Sequence, residues 1–409
     1  MDITILKSTI DNDQKSIAVT GSKSESNRLL LLKALYPGIS IENLSNSDDS
    51  VLMQNALESK DEVIDIHHAG TAMRFLTAYF SIQENREVIL TGSSRMKERP
   101  IQILVDALRQ LGADINYLDK EGFPPLRISG KKLTNSKVIL KANVSSQYIS
   151  ALLLIASKLD YGLELILDGK ITSVPYIKMT LSLLNEIGIE TEFKDNQITV
   201  QAQTSNLKPQ TLTVESDWSS VSYFYSVVAL SEVGTKLSLS SYKKDSLQGD
   251  SILSEVYKTF GVETNFEAST ITLHKSTNAN QKLSIHLDLS NAPDIAQTIA
   301  VTAFGLGIAC DLTGLHTLKI KETDRLVALK TELEKFGADI SITDTSLHLK
   351  SSKVIKSNIS VATYNDHRMA MAFAPLALTT SIHIQNADVV SKSYPQFWED
   401  FKAIGFNLK

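Results

Sequence analysis

Residues 101–112, IQILVDALRQLG, place apolar side chains at Ile101, Leu104, Leu108 and Leu111 and end on a glycine. Steps of three, four and three put those four on one face of a 3.6-residue helix, and the glycine suits a left-handed C-cap. The pattern returns at 177–188 (IKMTLSLLNEIG), 250–261 (DSILSEVYKTFG), 326–337 (LVALKTELEKFG) and 394–405 (YPQFWEDFKAIG). The closing glycines, Gly112, Gly188, Gly261, Gly337 and Gly405, are separated by 76, 73, 76 and 68 residues. Of the 20 positions on the repeated face, all but Thr180 and Asp250 are apolar or Tyr. Helices phased alike at near-constant spacing identify an internal repeat, which constrains architecture before any motif does.

A second helix type alternates with the first, opening on small or polar residues and turning apolar at once. It begins at Ser24, Gly70, Ser145, Ser219, Ala292 and Asp366. Apolar residues nearly surround these helices, so they are expected to be buried. Short β-like runs lie between, at 87–90, 137–140, 163–167, 197–200, 236–239, 270–273, 346–349 and 381–384. Strands and helices alternate throughout, which defines an α/β chain. We read six copies of a βαβαββ-like unit of about 70 residues, the first degenerate around 48–57, grouped in threes into two pseudo-symmetric domains. A single large layered α/β protein with accidental spacing is the competing reading.

The 409 residues are 43% apolar and 21% charged, with 41 Lys+Arg against 46 Asp+Glu and a net charge of −5. This is ordinary globular composition. No signal-peptide-like run occupies residues 1–16, and the longest apolar stretch, 299–310, falls well short of the ~20 residues of a membrane span. A cytoplasmic protein with no membrane and no nucleic-acid partner is therefore expected. The single cysteine, Cys310, is expected in an apolar helix, and the eight histidines show no metal-ligand spacing. Any bound anion must be held by a local cluster of cations.

Several motifs supply such cations. GSKSESNR (21–28) sets Lys23 and Arg28 among hydroxyls where a loop becomes a helix, which suits an anion and equally a serine-capped helix with surface cations. HAGTAMRF (68–75) offers Gly70 for close backbone approach and Arg74 for an anion or a structural carboxylate. RMKERP (95–100) crowds Arg95, Lys97 and Arg99 around Glu98, either for a ligand or as a solvated turn. SSQY (145–148) and SVPY (173–176) offer hydroxyls and an amide, or ordinary N-caps. KETDR (321–325) sets Glu322 between Lys321 and Arg325, so that the cations can hold an anion while the acid moves a proton; a capped helix start with ion pairs fits as well. YNDHRMAM (364–371) brings Asp366, His367 and Arg368 to the mouth of an apolar helix, an expensive placement unless used. Nearly all lie at N-terminal helix ends. A fold pointing those ends inward would gather Lys23, Arg28, Arg95, Lys321, Arg325, Arg368 and Lys392 around one electropositive cleft that binds small, multiply charged anions.

Taken in order and spacing, GSKSESNR, HAGTAMRF, RMKERP, SSQY, SVPY, SDWSSVSYF, APDIAQT, KETDRL, YNDHRMAM and SKSYP resemble the 5-enolpyruvylshikimate-3-phosphate (EPSP) synthases, from about residue 20 to the C-terminus. The resemblance implies a two-domain inside-out α/β barrel of six βαβαββ repeats, three per domain. Residues 21–215 would form one domain and 1–20 with 216–409 the other, with the active site in the cleft between them. It implies transfer of the enolpyruvyl group of phosphoenolpyruvate to the 5-hydroxyl of shikimate 3-phosphate with release of phosphate, no cofactor, no metal, a monomer, and sensitivity to the phosphonate glyphosate. Carried over by motif, shikimate 3-phosphate would meet Lys23, Ser24, Arg28, Ser145, Ser146, Gln147, Ser173, Asp294 and Lys321. Phosphoenolpyruvate would meet Lys23, Gly70, Arg95, Gln147, Arg325, Arg368 and Lys392. Asp294, Glu322 and Lys23 would be catalytic.

The chain departs from the family pattern at Thr20, His68, Trp218 and Thr317, where relatives usually have Pro, Asn, a small residue and Asn. Two alternatives stay open. One is the sister enzyme acting on UDP-N-acetylglucosamine, which usually uses a loop cysteine. The other is a catalytically silent ligand-binding paralogue.

Overall fold

All five closing glycines take left-handed backbone, with φ from +80° at Gly261 to +117° at Gly405. All 20 side chains on the repeated face are at most 2% exposed. The structure is a computed structural model that describes residues 1–10, 15–141, 145–169, 171, 174–203, 207–279, 284–352 and 354–409. Four of the five repeated patterns contain one α-helix: Gln102–Gln110, Val174–Glu186, Arg325–Phe336 and Phe397–Ala403. The 250–261 pattern differs, with 3-10 turns Gly249–Ile252 and Tyr257–Phe260 flanking a single α-turn, Leu253–Val256. There Ser254 Oγ and Thr259 Oγ1 donate to the carbonyls three residues back, Ser251 O and Val256 O. Hydroxyls in that register go with the tighter winding.

The strands follow one plan. Val63–Asp65 pairs parallel with Glu87–Thr91, which pairs antiparallel with Leu126–Ser129, which pairs antiparallel with Asp114–Tyr117. With the helices between, this is a βαβαββ unit, and four further four-stranded sheets repeat the plan. In the last of them the strand Ile3–Leu6 lies between Ile382–Ile384 and Asn407–Leu408. Among the described residues the remaining unit has two parallel strands, Ile39–Glu42 and Gln210–Thr213, with the helices Lys23–Leu35 and Asp48–Glu58. Among the described residues it is the antiparallel hairpin that this unit lacks, while a helix, Asp48–Glu58, covers the stretch read as degenerate.

Two compact units result, Met1–Gly21 with Glu215–Lys409, and Ser22–Val214. Each has its own apolar core. In the Ser22–Val214 unit the helices Lys23–Leu35, Gly70–Ser81 and Ser146–Ala156 pack on one another, and every residue of Gly70–Ser81 is buried. The strands alternate instead, as in Lys137–Lys141, with one face inward and one in water. Helices enclosed by sheets follow from that difference in pattern.

Cys310 lies in the strand Ala309–Thr313 and not in a helix, which corrects the sequence reading. Gly307, left-handed at φ +71°, ends the Ala296–Leu306 helix and divides the apolar run into helix and strand. Among the described residues no helix is long and apolar enough to cross a membrane.

Candidate active site

In the unit Met1–Gly21 with Glu215–Lys409, Asp294 stands in the 3-10 turn Pro293–Ile295 that opens the buried Ala296–Leu306 helix. Three cations meet its carboxylate: Lys321 Nζ and Arg325 Nη1 at 3.3 and 2.9 Å from Oδ1, and Arg368 Nη2 at 3.3 Å from Oδ2. Burial acts to raise the carboxyl, but Arg368, Lys321 and Arg325 overcome it and hold Asp294 well below the usual carboxylate range. Burial also lowers the Lys321 ammonium, with Asp294 opposing.

Arg325 is 2% exposed. Besides Asp294 it reaches Glu322 Oε2 through Nη2 at 2.7 Å and Asp366 Oδ2 through Nε at 2.6 Å. Burial disfavours its charge, yet Asp366, Glu322 and Asp294 raise it above the ordinary guanidinium value. Its position has a local cause: Asp324 caps the Arg325–Phe336 helix, accepting from Leu326 N and Val327 N at 3.2 Å. Asp366 caps the His367–Phe373 helix, accepting from Arg368 N at 2.9 Å. Arg368 also donates to Asp294 O at 3.2 Å and to Ser219 Oγ at 3.3 Å, and Ser219 Oγ donates in turn to Asp250. Burial, then the neighbouring Asp294 charge, push Asp250 up to about 7. Lys392 Nζ donates to Asn365 O at 2.6 Å. Lys321, Arg325 and Arg368 thus each meet a carboxylate, so an arriving anion competes with the protein's own acids.

The Ser22–Val214 unit differs. Ser22 caps the Lys23–Leu35 helix, and Lys23 Nζ lies 3.6 Å from Asp49 Oδ2. Arg28 is 2% exposed and is held by neutral groups: Nε on Thr180 Oγ1 at 2.7 Å, Nη1 on Ser24 O at 2.6 Å, Nη2 on Ser150 Oγ at 3.0 Å. The rings of Phe75 and Tyr176 flank it. Burial lowers it to about 10, which leaves it charged at neutral pH. Arg74 donates from Nη1 to Gly70 O at 2.8 Å and from Nη2 to Pro100 O at 3.4 Å and lies over Tyr148, while its buried Nε has no hydrogen-bond partner among the described residues. Ser145 caps the Ser146–Ala156 helix, and Gln147 Nε2 donates to Thr71 Oγ1 at 3.1 Å. Arg95 is half-exposed, 2.9 Å from Glu98. A Cβ added to Gly70 would lie 2.5 Å from Arg99 Nη1, so a guanidinium already occupies the space beside that glycine. Ser173 lies outside the described residues.

A sequence model described as EPSP synthase (3-phosphoshikimate 1-carboxyvinyltransferase) matches residues 53–401. The chain belongs to the EPSP synthase family. It is 47% identical over 399 residues, 96% of both chains, to the 3-phosphoshikimate 1-carboxyvinyltransferase of Bacteroides fragilis. To the protein of that name from Histophilus somni it is 35% identical over 432 residues, 98% of both. In fold it is similar to EPSP synthase from Acinetobacter baumannii, with a TM-score of 0.81 at 21% identity over 100% of this chain and 99% of that one. The enolpyruvyl transferase NikO from Streptomyces tendae, at 14% identity with 100% and 98% covered, gives a TM-score of 0.75.

Two departures from the family pattern have visible surroundings. Trp218 is fully buried, its Nε1 2.8 Å from Glu215 Oε1 and its ring edge-on to Tyr242. Thr317 Oγ1 is buried with no hydrogen-bond partner among the described residues. Sequence reasoning missed Ser219 as a support for Arg368 and read Asp250 only as a helix-face position. The signal available for Asp250 was its being the one carboxylate on a repeated face that is otherwise apolar, Tyr or Thr.

Proposed function

We propose that this chain transfers the enolpyruvyl group of phosphoenolpyruvate to the 5-hydroxyl of shikimate 3-phosphate and releases phosphate. The observation that carries the reading, beside family membership, is the meeting of Lys321, Arg325 and Arg368 on Asp294, with Glu322 on the far side of the Arg325 fork. An acid and a second carboxylate held by the same guanidinium are the equipment for moving two protons beside bound anions.

In the addition step Asp294 takes the 5-hydroxyl proton while that oxygen bonds to C2 of phosphoenolpyruvate and Glu322 delivers a proton to the methylene carbon. The product is a tetrahedral ketal phosphate. In the elimination step the acid and base exchange roles: ionised Glu322 takes a proton from the new methyl group, the C–O bond to phosphate breaks as the phosphate leaves with the proton that Asp294 gives up, and the enol ether forms. Asp294 with its cations all in place is a weak base. A phosphate or carboxylate drawing off Arg325 and Arg368 raises its basicity, so the substrate's own charge prepares the group that activates the hydroxyl. The residues proposed for shikimate 3-phosphate are Lys23, Ser24, Arg28, Ser145, Ser146, Gln147, Ser173, Asp294 and Lys321. Those for phosphoenolpyruvate are Lys23, Gly70, Arg95, Gln147, Arg325, Arg368 and Lys392, with Lys23 also catalytic. Arg28, held by hydroxyls and a carbonyl with the Glu25 charge favouring its protonated form, suits the phosphate of shikimate 3-phosphate.

Cys310, fully buried in a strand and raised to about 12 first by burial, does not suit the cysteine chemistry of the sister enzyme. The test is phosphate release from the two substrates, compared with Asp294→Asn and Glu322→Gln. Each variant is expected to lose about 10²–10⁴-fold in kcat; unchanged rates in both would overturn the assigned roles, and turnover of UDP-N-acetylglucosamine in place of shikimate 3-phosphate would overturn the function.

A further inference from the structure

Glu332 lies on the Arg325–Phe336 helix, two turns from Arg325, and is fully buried. Its carboxylate accepts from Lys335 Nζ at 2.8 and 2.6 Å, from Tyr364 Oη at 2.7 Å and from Ala362 N at 3.2 Å. The last two donors flank Thr363 in the segment that leads to Asp366. Tyr364 and Asn365 both have left-handed backbone, with φ of +54° and +55°. Two consecutive non-glycine residues in that region are costly, and such a turn persists only where its surroundings hold it. Asp366 N closes the turn on Thr363 O at 2.8 Å.

Three of the cations assigned to phosphoenolpyruvate depend on this turn. Asp366, the residue it delivers, orients Arg325 through Nε and caps the helix that carries Arg368. Asn365 O, within the turn, holds Lys392 Nζ. The turn cannot relax to right-handed backbone without moving the 365 carbonyl and the Asp366 carboxylate together.

We propose that Glu332 and Tyr364 are positioning residues: their hydrogen bond clamps the strained 364–365 turn and thereby sets Arg325, Arg368 and Lys392 for anion binding. This rests on the reading given under Proposed function. Neither residue touches the proposed proton-transfer groups, so the effect belongs in anion affinity.

The test uses the full chain as Tyr364→Phe, Glu332→Gln and the double variant Tyr364→Phe/Asn365→Gly. Tyr364→Phe is expected to raise KM for phosphoenolpyruvate about tenfold, the size of one lost hydrogen bond to a charged group, with KM for shikimate 3-phosphate within about twofold of wild type. Adding Asn365→Gly is expected to restore much of the loss, because glycine adopts left-handed backbone freely and needs no clamp. An unchanged KM for phosphoenolpyruvate in Tyr364→Phe, an equal rise for both substrates, or no recovery in the double variant would overturn the proposal. If Glu332→Gln does not fold, the Tyr364 pair decides. Calorimetric titration with inorganic phosphate repeats the comparison without turnover. A wild-type chain that binds phosphate but releases none from the substrates would overturn the assigned reaction, while the variants' phosphate affinities would still decide the positioning.

Discussion

Arg325 shows how much one side chain organises. Its guanidinium meets Asp294, Glu322 and Asp366 at 2.9, 2.7 and 2.6 Å, three acids that would repel one another without it. Arg325→Leu is expected to cost about 3–5 kcal/mol in urea unfolding, because breaking a buried ion pair strands the remaining charges. Cys310 makes the opposite case. Its thiol, raised to about 12 and fully buried, is expected to resist an aromatic disulfide reagent at neutral pH in the native protein and to react with one equivalent after denaturation. The charged residues around Arg325 were legible in KETDR and YNDHRMAM, because charge at the mouth of an apolar helix is conspicuous. Which acid meets which cation was not, since 321–325, 294 and 366–368 are joined only by folding. Arg74 was legible as buried, but its partners are backbone carbonyls, and no residue type announces a carbonyl.

The repeated helix ends share a sequence signature but not an energetic cost. Gly337 and Gly261 are both left-handed C-caps, at φ +102° and +80°. A Cβ at Gly337 would first meet Lys356 Cε at 3.7 Å, whereas one at Gly261 would collide with Thr277 O. Gly337→Ala is expected to cost about 1–2 kcal/mol, the backbone penalty alone, and Gly261→Ala clearly more, both read from denaturant midpoints. At another junction, Lys275 Nζ, 1% exposed, donates to Ala229 O and Phe260 O at 2.7 Å, near the ends of two helical segments. Burial lowers it to about 8 from 10.5. Between those values the unfolded chain binds more protons than the folded one, so this group adds stability as pH rises from about 8 to 10.5. Lys275→Met is expected to remove that gain, seen as a flatter stability–pH curve over the interval. The helix positions were readable because 3.6-residue periodicity is local. The broken winding at 250–260 was not, because hydroxyl back-bonding depends on rotamers as well as composition.

Over the whole molecule the repeat is completed out of chain order. The strand Ile3–Leu6 sits inside a sheet with Ile382–Ile384 and Asn407–Leu408 on either side. Deleting residues 1–7 is expected to strip a central strand and expose buried Ile3 and Ile5 contacts; limited proteolysis should then cut faster between 215 and 409 than within 22–214. The sequence by itself determined the repeat, the two helix types and the residue kinds at each helix mouth, because periodicity and capping act over a few neighbouring residues. Only the tertiary structure decided that the first strand joins the last unit, that Asp294 meets three cations, and that Glu332 holds the turn before Asp366. Those contacts link residues tens to hundreds of positions apart, and burial of shared surfaces, to which local preference is blind, selects them.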